Sequence, residues 1–172
     1  MVSERGWRHT GLAFGWIALV VIVLDQWTKG LASTYLELYQ PLPLAPMLNL
    51  TLSHNTGAAF SFLSDAGGWQ RWFFVVLAVG VSGMLLVWLR KLPRSARWEP
   101  VALSLVLGGA LGNVWDRLVQ GYVVDFIDVY YGQWHWPAFN VADSAICVGA
   151  AMLVIDALFF KKSGHAEQQS GH

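Results

Sequence analysis

The chain has 172 residues, of which 55% are hydrophobic and only 13% are Asp, Glu, Lys or Arg, about half the charged share of a soluble domain. A formal net charge of +0 argues against a nucleic-acid partner, which would need a basic face. The single Cys147 excludes an internal disulfide and any multi-cysteine metal site; its place within an apolar tract predicts a buried thiol.

Four apolar tracts long enough to cross a bilayer, which takes about 20 residues, follow one another. Spans are predicted at about 11–28, 70–90, 98–118 and 139–160, in a single membrane domain covering 1–172. Arg5 and Arg8 ahead of span one resemble the start of a signal peptide. Asp25-Gln-Trp-Thr-Lys29 stands where a cleavage site would be, so the span is expected to be retained. Lys and Arg collect before span one, at Arg90, Lys91, Arg94 and Arg97, and at Lys161 and Lys162, which predicts both termini on the cytoplasmic side. Segments 30–69 and 119–138 then face outward. The polar tail 163–172 is expected to be disordered.

Between spans one and two, "LNLTLSHN" (48–55) alternates apolar and polar residues as a strand does, after Pro41, Pro43 and Pro46. A small sheet on the outer membrane face is expected, with Trp27, Trp69, Trp72, Trp115, Trp134 and Trp136 as interfacial anchors. Span three carries Gly108 and Gly112 at the spacing that lets another helix approach closely. The fold class is therefore an all-α integral membrane protein with four transmembrane helices. A small periplasmic β-sheet and a loop or helical segment lie outside the membrane.

Depth is set by helical rise. Arg8 to Asp25, Arg97 to Asn113, and Lys161 back to Asp143 each measure roughly 24–27 Å at about 1.5 Å per residue. Asp25, Asn113, Arg117 and Asp143 thus reach the outer membrane edge from three helices, and ionisable groups at such depth mark function. Asp25 with Lys29, and Asn113 with Arg117, are i,i+4 pairs. Asp116 reads as a capping or orienting charge, and Asp156 as a boundary charge.

No paired-His zinc motif is present, and His54 and His135 read as interfacial polar residues. A Ser/Lys dyad of Ser144 or Ser53 with Lys29 has no support in spacing. Asp125, just outside span three, and Asp143, just inside span four, are the carboxylates at one depth. Two such acids in a low-dielectric site share a proton, one serving as base for water and the other hydrogen-bonding the scissile carbonyl. That is aspartic-protease chemistry; a proton-coupled transporter or a small assembly protein remains open on these grounds. Asp128 reads as a solvated or locally hydrogen-bonded charge.

"DQWTK" (25–29), "NTGAAF" (55–60), "GGALGNVWDR" (108–117), "VVDFID" (123–128) and "FNVADS" (139–144) occur in this order. Together they resemble lipoprotein signal peptidase, the bacterial signal peptidase II family, over nearly the whole chain. The resemblance implies a membrane aspartic peptidase with Asp125 and Asp143 as its catalytic pair. It further implies that Asp25, Lys29, Asn55, Gly57, Gly109, Asn113, Arg117, Asn140 and Ala142 support the site or contact substrate. Implied substrates are prolipoproteins with a diacylglyceryl-modified lipobox Cys, cut immediately before that Cys. No cofactor or metal is expected. Membrane lipids are expected neighbours, globomycin-type cyclic peptides expected blockers of the pair, and the enzyme is expected to be monomeric. It would sit in the inner membrane, with its active site at the periplasmic leaflet.

Overall fold

A computed structural model of the chain describes residues 10–57 and 68–160. Four helices carry the fold: α1 (Gly15–Tyr35), entered through a 3-10 turn, α2 (Trp69–Lys91), α3 (Trp98–Val119) and α4 (Val141–Ile155), which runs on as a widened turn to Phe160. Strands β1 (Pro41–Ala45), β2 (Leu48–Asn55), β3 (Val123–Tyr131) and β4 (Trp134–His135) make one antiparallel sheet in that order. The prolines of β1 stand on an edge strand, where a missing N–H is tolerated. Segments 1–9, 58–67 and 161–172, including part of "NTGAAF", the basic residues at both ends and the polar tail, lie outside the described residues.

Among the described residues, three helices are long and apolar enough to cross a membrane: Gly11–Tyr35, Trp69–Lys91 and Val141–Phe159. Large apolar side chains such as Leu19, Val23, Val76 and Val154 point away from the protein on these helices. The third expected span does not meet that measure, although α3 has 22 residues. Its position explains why. Twelve of its residues are buried, against five in α1 and five in α2, so it meets protein on most sides and needs less hydrocarbon-compatible surface. Leu103 and Leu107 of α3 pack with Ala18, Leu85 and Leu89 in the helical core.

Glycines bring α3 close to its neighbours. A Cβ on Gly108 would lie 2.8 Å from the Ala18 carbonyl oxygen of α1, and one on Gly149 of α4 2.6 Å from the Ala102 carbonyl oxygen. A Cβ on Gly109 would overlap the Ala142 carbonyl oxygen of α4 and lie 2.7 Å from Ile146 Cγ1. The expected glycine-mediated approach is thus present on two sides of α3. Gly109→Ala should lower stability by about 1–3 kcal/mol, the usual size of an overpacking penalty. The measurement is the unfolding temperature in detergent; an unchanged value would mean that α4 yields freely.

Two helix ends differ from the expected boundaries. α1 continues well past residue 28 because Lys29 is ion-paired and Ala32 packs under the sheet with Leu52, Val124 and Phe126, while the Thr28 and Thr34 hydroxyls are satisfied by the Leu24 and Gly30 carbonyls. α4 starts at Val141 because Phe139 is still bridged to Ile127 and Asn140 caps the helix. Beyond the end of α3, Gly121 with a φ of +89° turns the chain into β3. Within segment 119–138 the chain forms β3 and β4.

Candidate active site

α1, α3, β2, β3 and the start of α4 converge on one polar cluster at the sheet end of the helices. Its base is ionic. Lys29 Nζ lies 2.8 Å from Asp25 Oδ2 and 2.8 Å from Asp116 Oδ2, and donates to Asn113 Oδ1 at 3.0 Å. Asp25 and Asp116 are fully buried, a placement that is costly for a carboxylate unless it is paired. Gln26 Nε2 donates to both of them, at 3.2 Å and 2.8 Å.

Each of these carboxylates also holds a backbone N–H. Asp25 Oδ1 accepts from Ala142 at 2.9 Å, and Asp116 Oδ2 accepts from Val124 at 3.2 Å. Ala142 immediately precedes Asp143, and Val124 immediately precedes Asp125. Lys29 therefore ties together the two anchors that set where Asp125 and Asp143 stand.

Asn140 bridges these two acids. Its Nδ2 donates to Asp125 Oδ1 at 2.7 Å, while its backbone N–H donates to Asp143 Oδ2 at 3.2 Å. Its Oδ1 accepts from the Asp143 N–H at 2.9 Å, closing a reciprocal cap on α4. Asn55 Nδ2 donates to Asp125 Oδ2 at 3.0 Å, and Asn113 Nδ2 donates to Asp143 Oδ1 at 2.8 Å. Burial, then the neighbouring Asp143 charge, pushes the Asp125 carboxyl up to about 7, against the lowering effect of Asn55, Asn140 and Lys29.

A cavity of about 540 Å³ opens beside the pair. Asn55, Asn113, Arg117 and Asp143 make its polar end; Trp136–Phe139 and the Ile146–Val148 stretch of α4 make it apolar elsewhere. Asp143 faces this space, whereas Asp125 is 2% exposed and covered by Asn55 and Asn140. Arg117 Nη2 donates to the Gly57 carbonyl at 2.9 Å, its Nε has no partner among the described residues, and its guanidinium lies over the Phe74 ring. Gly57 N–H in turn donates to Asn55 Oδ1 at 3.0 Å. All eleven residues named from the sequence thus belong to one connected assembly, Gly109 through its contact with Ala142.

The structure corrects or completes other readings. Cys147 is exposed on α4 and lines the cavity, so it is not a buried core thiol. Asp116 is a fully buried ion-pair member as well as an orienting group. Gln26 was missed, and its adjacency to Asp25 inside an apolar span was the available signal. Ser144 Oγ donates to the Asn140 carbonyl, and Lys29 is held by Asp25 and Asp116, so the two form no dyad. Of the two readings offered for Asp128, the locally hydrogen-bonded one holds: it is 6% exposed and bonded to Asn49, Thr51 and His135. His54 stacks on Tyr122 with ring centroids 3.9 Å apart.

A family model described as signal peptidase (SPase) II matches residues 17–159. A lipoprotein signal peptidase of Alteromonas mediterranea is 54% identical over 164 residues, covering 95% of this chain and 89% of the relative. One from Teredinibacter turnerae is 60% identical over 146 residues, covering 85% and 87%. Among solved structures, a bacterial membrane enzyme determined by the in meso method at 2.3 Å is similar, with a TM-score of 0.78 and 32% identity over 91% of this chain and 94% of that one. The ordered motifs, the convergent polar assembly and these likenesses agree: the chain belongs to the signal peptidase II family, the lipoprotein signal peptidases.

Proposed function

We propose that the chain crosses the bacterial inner membrane four times, α3 included, with both termini cytoplasmic and the sheet and cavity at the periplasmic leaflet. There it acts as an aspartic endopeptidase that removes signal peptides from diacylglyceryl-modified prolipoproteins. The observation that carries this reading is Asn140, which binds Asp125 and Asp143 at once and holds them as a pair. The apolar cavity walls suit an acyl chain or an apolar signal segment, and its polar end suits the peptide bond.

In the proposed reaction Asp125 holds the shared proton and Asp143 is the base. Water attacks the scissile carbonyl carbon and gives its proton to Asp143. The Asp125 proton stabilises the developing oxyanion. As the tetrahedral intermediate collapses, the C–N bond breaks and the departing amine takes the proton from Asp143. Asn113 keeps Asp143 oriented by its 2.8 Å hydrogen bond. Asn55 must swing aside for Asp125 to meet the substrate. Globomycin-type cyclic peptides would compete for the same cavity.

The test is purified enzyme with a prolipoprotein bearing a diacylglyceryl-Cys. Mass spectrometry should give a product beginning at that Cys and no cleavage of the unmodified precursor. Cleavage elsewhere, or equal cleavage of both precursors, contradicts the proposal. The reaction should also depend on pH with a definite sign. A carboxyl raised to about 7 keeps its proton below that pH and loses it above, so kcat/KM should decline on the alkaline side of about pH 7. A profile that stays level from acid to alkaline pH would show that no shared proton is needed.

A further inference from the structure

Asp128 and His135 stand outside the network of Asp125 and Asp143, and the proposed reaction does not use them. Asp128 sits on β3 three residues beyond Asp125 and is buried. From β2 its Oδ2 accepts Asn49 Nδ2 at 3.1 Å and the Thr51 hydroxyl at 3.3 Å. His135 Nδ1 lies 2.8 Å from Asp128 Oδ1 and 3.1 Å from Oδ2, a geometry that requires the proton on Nδ1. Tyr130 stacks on the imidazole with centroids 5.3 Å apart. One carboxylate thus joins β2, β3 and β4. Burial raises its pKa, and the hydrogen bonds from His135, Asn49 and Thr51 outweigh that, leaving it below the usual carboxylate range.

The residues after His135 lead into the site. β4 has two residues, paired as Tyr130 with His135 and Tyr131 with Trp134 around the left-handed Gly132. The chain then leaves the sheet, held by the Trp136 N–H to the Val129 carbonyl at 2.8 Å, and returns where Phe139 exchanges bonds with Ile127. The stretch between these holds, Trp136–Phe139, is a wall of the active-site cavity. Pro137 within it has no N–H to pair. The backbone of the wall is thus held at its two ends, and the Trp136 ring also packs edge-on against Trp134 with centroids 5.9 Å apart.

We propose that Asp128 and His135 are positioning residues for substrate binding. Their pair fixes the start of the Trp136–Phe139 wall, against which the apolar part of the lipid-modified substrate is seated. They take no part in bond breaking. This role rests on the peptidase reading of the Asp125 and Asp143 pair. The imidazole is half-exposed, so truncating it removes little buried surface and should change global stability little. Its effect on the adjoining wall is direct.

The experiment compares wild type, His135→Ala, His135→Gln, Asp128→Asn and Asp143→Asn on a diacylglyceryl-modified prolipoprotein in detergent micelles. His135→Ala should raise KM roughly threefold to fivefold, the scale of one lost hydrogen bond, with kcat within about twofold of wild type. His135→Gln, whose amide can still donate to Asp128, should recover part of that loss. Asp128→Asn combined with His135→Ala should be no worse than Asp128→Asn alone. Because His135 is half-exposed, its variants test the idea even if Asp128→Asn does not fold. An unchanged KM in His135→Ala, or a fall in kcat alone, overturns the positioning role while leaving the peptidase reading intact. An inactive wild type, or a fully active Asp143→Asn, overturns the peptidase reading, and the positioning role with it.

Discussion

Asp143→Asn and Asp125→Asn should each reduce prolipoprotein cleavage by at least about 10³-fold, within the range for loss of an essential acid or base. The two losses have different origins. Asp143 faces the cavity and is the proposed base, and an amide there cannot accept the proton of the attacking water. Asp125 is the proposed acid, and an amide can donate a hydrogen bond but cannot share the proton. Residues that act as a unit fail non-additively, so the double variant should be no slower than either single one. Both variants should also lose stability. Asn140 and Asn113 both donate to Asp143, so an amide nitrogen there faces a donor, at a cost of about 1–3 kcal/mol for the unsatisfied group. The same conflict arises at Asp125 with Asn55 and Asn140. Each variant should therefore melt below wild type in detergent. Wild-type cleavage by either variant would exclude a carboxylate pair as the chemical centre.

Much of this site was readable because the membrane fixes depth. With the basic residues taken as the expected inner boundary, helical rise puts Asp25, Asn113, Arg117 and Asp143 at one level. They meet in the structure through Lys29, Asn113 and Asn140. β2 was readable from its alternation. β3 was not, because "VVDFIDVYY" is buried along most of its length and reads as a continuous apolar run; its pairing is set from a distance, Leu48 opposite Val129 and Ser53 opposite Asp125. The partner of Asp128 was hidden for a related reason, since only the turn at Gly132 brings His135 back across the strand. Cys147 misled for another reason. In a bilayer, apolar side chains face lipid as readily as protein, so an apolar neighbourhood does not imply burial. Conversely, the most buried helix is the one whose hydropathy is weakened by Asn113, Asp116 and Arg117.

Lys29→Met should be the most destabilising of these substitutions. It leaves Asp25 and Asp116, both fully buried, facing each other without the cation that lies 2.8 Å from each. Breaking a buried ion pair on one side costs about 3–5 kcal/mol, more than the pair contributes over an apolar replacement. The consequence for catalysis comes through the backbone bonds these carboxylates make. If they repel and rotate, the N–H groups of Ala142 and Val124 lose their fixed acceptors, and Asp143 and Asp125 shift with them. Displacement of a reacting group by about 1 Å can cost about 10²-fold, and that is the fall in kcat expected here. Adding Asp25→Asn and Asp116→Asn to Lys29→Met distinguishes the two effects. The neutral triple variant removes the uncompensated charge and should recover most of the thermal stability in detergent. It should not recover the rate, because the amides no longer share a cation that sets the spacing of Asp125 and Asp143. Recovery of both would reduce Lys29 to charge neutralisation, and a stable, fully active Lys29→Met would remove it from the site altogether.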